Sequence, residues 1–207
     1  MRLEQITETI SHVNFPTRKG LLSTFLRFQE YYESPKFRGK IFSLEEYIEW
    51  YKAEKGAFTY YEDWDGCNIP SHVLQPFYEG KFDPLSDKEK GFLELFRERG
   101  GIFYVLGTHG NANAEALKHE IAHGLYYTIP EYRQEVDAVL AKVDLRKIKK
   151  DLLETGYCEE VLQDEAHARL LNEYKELKQE GIVGWKHRLA SWKLNRVYKR
   201  HFGRKKI

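Results

Sequence analysis

His119-Glu120-Ile121-Ala122-His123 lies inside a stretch that reads as helix, with Ala114-Glu115-Ala116-Leu117-Lys118 ahead of it and Gly124-Leu125-Tyr126-Tyr127 behind. Residues four apart stand one turn apart on the same helix face, so both imidazoles can reach one ion. Glu120 points to the edge of that face, where it can hold a water without being a ligand itself. Ile121 and Ala122 are apolar, as a helix packed into a core requires. Asn111 and Asn113 are candidate N-caps, and Pro130 stops the helix. Gly124 inside a helix costs about 1 kcal/mol against Ala, which implies that a neighbour approaches closely there.

This H-E-x-x-H element resembles that of the zincin metallopeptidases. The resemblance implies one zinc ion per chain, held by His119, His123 and a third protein ligand, with Glu120 as general base toward an attacking water. A metzincin would carry Gly and His at the third and sixth positions after the second histidine. Tyr126 and Ile129 stand there, so that class is excluded, and an aspzincin-like G-T-x-D is also missing downstream. Gluzincins place a glutamate on a later helix, and Gln163-Asp164-Glu165-Ala166-His167-Ala168-Arg169-Leu170-Leu171 is similar to that helix. The helical neighbours of Glu165 are Val161, Leu162 and Ala168, and a carboxylate on so apolar a face needs a partner, for which a metal ion serves. Glu165 is therefore preferred as third ligand over Asp164, and both over His167. Asp164, bracketed by Glu160 and His167, reads as the more solvated acid, with a supporting role as acceptor from a ligand histidine. The plainer alternative for Glu165 is a salt bridge to one of the many basic residues.

Acyl transfer also needs a donor for developing negative charge. Tyr126, Tyr127, Tyr157 and His167 are candidates, and Tyr157 is chosen because it immediately precedes the glutamate helix. With 14 Tyr in the chain, any one of them competes with an ordinary packing role. Ile102-Phe103-Tyr104-Val105-Leu106-Gly107 is the clearest strand. Zincins bind extended substrate along an edge strand ahead of the motif helix, and this strand stands where that edge is expected, an internal strand being the alternative. Cys67 could hold the metal in a latent state, but a buried structural thiol is the preferred reading.

Elsewhere the first hundred residues read as largely helical. A helix begins at residues 21–28. Ser43-Leu44-Glu45-Glu46 and Ser86-Asp87-Lys88-Glu89 are capping boxes for two more, the first ended by Gly56 and the second running to about Arg99. Residues 57–61 are β-prone, and residues 63–71 are rich in turn formers. Helices are expected from Pro130 to about Lys142, over residues 145–153, unbroken over residues 159–179, and over residues 183–202. The sum is an α+β, mostly helical, zincin-like fold, with a small sheet ahead of the motif helix and a later helix bearing the glutamate.

The 207 residues suit a single catalytic domain with a basic C-terminal helix at residues 181–207. Those last 27 residues hold nine Lys and Arg and no acid. They leave the rest of the chain at about minus eight, against plus one overall. Trp185, Leu189 and Trp192 recur at helical spacing, so the preferred reading packs their face on the acidic body of the same protein. Nucleic acid or an anionic membrane is the rival partner for this tail. No apolar run approaches the length of a membrane span, and the N-terminal residues are polar where a signal peptide would be apolar. Two widely spaced cysteines form no disulfide framework. The expectation is a cytoplasmic, monomeric zinc peptidase acting on peptide or protein. The alternative is a zincin scaffold used for binding or regulation, its basic helix meeting nucleic acid or another anionic partner.

Overall fold

The computed structural model describes residues 1–110 and 114–205, and side chains to residue 203. Asn111 and Asn113, the candidate caps, lie outside the described residues. The fold is α+β, with strands β1 (Arg2–Thr7), β2 (Ile10–Phe15), β3 (Gly66–Pro70) and β4 (Tyr104–His109) in one sheet of order β1-β2-β4-β3. The helices are α1 (Arg18–Glu33), α2 (Leu44–Lys55), α3 (Tyr60–Asp63), α4 (Gln75–Tyr78), α5 (Asp87–Glu94), α6 (Ala114–Thr128), α7 (Pro130–Leu140), α8 (Arg146–Thr155), α9 (Leu162–Asn172), α10 (Tyr174–Gln179) and α11 (Trp185–Lys205). The chain divides into two compact units: residues 1–4 and 11–112, and residues 5–10 and 113–207.

The first unit is built on aromatic packing. Thr17 caps α1 by accepting from the Gly20 N–H, and Leu21, Leu22, Phe25 and Phe28 on that helix are fully buried. Both expected capping boxes form, Ser43 with Glu46 and Ser86 with Glu89, and Gly56 ends α2 in the left-handed region at φ 83°. β3 runs antiparallel to β4, with Cys67 opposite Gly107 and Ile69 opposite Val105. A Cβ on Gly107 would stand 2.6 Å from Leu21 and 2.9 Å from Phe25, so α1 lies on the strand at a distance only glycine allows. Cys67 is buried within this core.

Five expectations fail in this unit or at its border. The chain opens with the strands β1 and β2, because Thr7 Oγ1 accepts from the Thr9 and Ile10 N–H groups. That hydroxyl makes the turn which Gly or Asn would ordinarily announce. The β-prone residues 57–61 lead into the short helix α3, and the turn-rich segment holds β3. The α5 helix stops at Glu94. β4 is flanked by β2 and β3, so both of its sides are hydrogen-bonded and it offers no open edge for a substrate strand along residues 102–107.

In the second unit α9 packs against α6, α8 and α11, and α11 also packs on α7. Ala122, Ala166 and Ala168 are fully buried, small enough to let α6 and α9 approach. Gly124 meets the expected neighbour: a Cβ there would lie 2.8 Å from Ile10 Cδ1. The unbroken helix expected over residues 159–179 is instead one 3-10 turn (Glu159–Val161), then α9 and α10. The break falls at Glu173 (φ −111°, ψ 22°), where no Gly or Pro signals it.

Candidate metal centre

Successive turns of α6 present His119 and His123 with ring centroids 4.9 Å apart. The first turn of α9 brings Glu165 opposite them, with Oε2 3.9 Å from His119 Nε2 and Oε1 3.6 Å from His123 Nε2. One ligand atom from each of the three lies within 4.8 Å of the others. Ligands at zinc distances in a tetrahedron stand about 3.4 Å apart, so side-chain rotations of under ~1 Å would close the group on an ion. The three residues expected from the sequence are therefore the three that the structure gathers.

Both imidazoles are held from behind. His123 Nδ1 lies 2.9 Å from Asp164 Oδ2, and His119 Nδ1 lies 3.1 Å from Glu173 Oε1. With each Nδ1 committed to a carboxylate, the Nε2 atoms face Glu165, the arrangement that orients ligand histidines and raises their basicity. Asp164 is not the solvated acid expected. Its side chain is 17% exposed, because His167 Nδ1 bonds its second oxygen at 3.3 Å while His123 takes the first. His167 in turn meets the Tyr132 hydroxyl through Nε2 at 2.8 Å and stacks on Tyr126. Being fully buried and bonded at both nitrogens, His167 is placed to steady Asp164 rather than to donate to a substrate. The Tyr126 hydroxyl donates a hydrogen bond to Asp137 Oδ1 at 2.9 Å. Tyr157 sits half-buried in the turn after α8, its backbone N–H bonded to Leu152 O.

Glu173 was missed by sequence reasoning. It lies eight residues beyond Glu165, inside what reads as one continuous helix, at the break where its carboxylate meets His119 Nδ1. Tyr132 gives no signal either, since it is one tyrosine among many.

The electrostatics are those of a cluster short of positive charge. Burial disfavours the His123 imidazolium, but Asp164 and Glu165 outweigh it and hold the ring well above the usual histidine range. His119 is raised in the same way: Glu173, with Glu120 and Glu165, overcomes burial and the His123 charge. Burial pushes the Glu165 carboxyl up, while against its own burial Asp164 is drawn down to about 2 by His123 and His167. Glu120, half-buried on α6, adds a fourth carboxylate field to the two rings. Such a group is balanced by protons on the imidazoles or by a dication in their place.

One atom decides the fit. His123 Nε2 is buried without a hydrogen-bond partner, and its 3.6 Å to Glu165 is too long for a hydrogen bond. Buried ring nitrogens are rarely left so, and a two-nitrogen, one-oxygen donor set suits zinc. His119, at 19% side-chain exposure, leaves the group approachable from one side. Comparison of the chain with protein-family models, curated proteins and solved structures found no match, so the zincin resemblance rests on these residues and their geometry.

Proposed function

We propose that this protein is a zinc-dependent hydrolase of gluzincin type, acting on peptide bonds. The observation that carries the reading is the buried, unpartnered His123 Nε2 facing Glu165 beside His119 Nε2. His119, His123 and Glu165 would hold the ion, which when bound supplies Lewis acidity toward a water and a carbonyl. Asp164 and Glu173 fix the two rings by their Nδ1 atoms, so little reorganisation accompanies binding. Glu120, adjacent to His119 but not of the ligand group, accepts the proton of the attacking water and returns it to the leaving amine. The paired β4 strand removes the substrate edge expected from sequence, so substrate must be held by other residues.

The test combines metal analysis with Glu120→Gln. The expected result is about one zinc per chain in both proteins, and casein hydrolysis in the parent only. Undiminished turnover in the variant would sink the role of Glu120, and a chain that takes up no zinc would sink the metal reading. Full zinc occupancy without hydrolysis of any peptide would favour the binding scaffold.

A further inference from the structure

The C-terminal helix α11 has two apolar faces. Ala190, Leu194, Val197 and Tyr198 are buried, and they form the face that packs within the second unit. Trp185, Leu189 and Trp192, whose face was expected to pack there, are 76%, 50% and 53% exposed. At 100° per residue these three and Arg196 fall within about 60° of one another, on the side of the helix opposite the buried set. Helical spacing alone cannot tell the two stripes apart, because both recur at the same period.

The exposed stripe is bracketed by cations. Lys186, Arg188, Arg196 and Lys199 are exposed and Lys193 partly so, and residues 181–207 contain no acid. Lys186 Nζ lies 5.8 Å from the Trp185 ring, and the Arg196 guanidinium 4.9 Å from the Trp192 ring. Indoles and positive charges therefore share one surface level. Large apolar tips on one line, flanked by Lys and Arg, form the pattern of a helix lying in a bilayer interface, where the indoles seat at headgroup depth and the cations meet lipid phosphate. A convex ridge with a leucine between its two indoles gives bases no continuous stacking platform, which sets it apart from single-strand-binding grooves. No described helix is long and apolar enough to cross a membrane, so the helix would lie on the surface.

We propose that the Trp185–Leu189–Trp192 face of α11, with Lys186, Arg188, Lys193, Arg196 and Lys199, docks this protein on an anionic lipid surface. None of these residues belongs to the group of His119, His123 and Glu165. Docking is tested by cosedimentation of the full chain with phosphatidylcholine vesicles, with and without about a third phosphatidylglycerol. The expected result is binding to the anionic vesicles, weaker at high salt, and little to the neutral ones. Trp185→Ala/Trp192→Ala should lower the partition coefficient about tenfold or more with the thermal midpoint unchanged, and Lys193→Glu/Arg196→Glu should do the same. Equal binding to neutral and anionic vesicles, or undiminished binding by both variants, overturns the proposal. So does tighter binding to single-stranded RNA than to vesicles through the same two tryptophans.

Discussion

Arg27 with Glu89 in the first unit, and His119, His123 and Glu165 in the second, are both groups of ionisable side chains taken out of water. The first is closed. Arg27 Nε and Nη2 each meet a Glu89 oxygen at 2.7 Å, Nη1 donates to Phe82 O, and Ser86 donates to Glu89 Oε2 through both N–H and hydroxyl. The second is left open at His123 Nε2, although its outer layer of Asp164, Glu173, His167 and Tyr132 is bonded as fully as the first. Burial and charge alone do not separate the two groups. What separates them is whether the inner atoms have anything to bond, and only the second group leaves room for another positive species.

The largest expected effect comes from opening the closed group. Glu89→Ala strands the Arg27 guanidinium and removes the α5 capping box, and should cost about 3–5 kcal/mol in urea unfolding. Glu165→Gln should cost the metal-free protein under ~1 kcal/mol, since burial already works against its charge. Equal losses from the two changes would erase the distinction between them.

A second effect separates the inner atoms from the layer behind them. Asp164→Asn keeps the shape but weakens the acceptor on His123 Nδ1, and zinc affinity should fall about 10- to 100-fold in competition with a chromogenic chelator. Glu173→Gln should cost less, because the Glu173 side chain is 38% exposed and its partner His119 is the more accessible ring. An affinity unmoved by Asp164→Asn would mean that His123 needs no support from α9.

The candidate site was legible in the sequence because it rests on local spacing. His119 and His123 are fixed by one helix turn, and Glu165 betrays itself as an acid among Val161, Leu162 and Ala168. The same local logic found the two capping boxes, the helix end at Gly56 and the tight approach at Gly124. What stayed hidden depends on partners distant in the chain or on turns made by side chains. Thr7 closes the N-terminal hairpin without a turn residue, Glu173 leaves the helix without a breaker, and α11 offers two apolar stripes of one period. Strand order is non-local too, so no reading of residues 102–107 alone could place β4 between β2 and β3.

Glu30 gives the smallest test, and it probes a first-unit carboxyl that burial holds against its charge. Near Arg27 on α1, its half-buried carboxyl lies among the Tyr60 and Tyr47 phenols, and burial pushes it from the ordinary 4.5 up to about 7 against their pull and that of Ser34. Below pH 4.5 the group is protonated in both folded and unfolded chains and costs nothing. As pH rises toward 7 the unfolded chain ionises first while the folded one keeps its proton, so stability falls across that window and then levels off. The gap in pKa caps the loss near ~3 kcal/mol, and partial exposure brings the expected value to roughly 1 kcal/mol. Glu30→Gln has no proton to lose. Its unfolding free energy, relative to the parent, should therefore rise by that amount between pH 4 and pH 8 in a urea series. A constant difference over the whole range would show that Glu30 is solvated well enough to ionise freely.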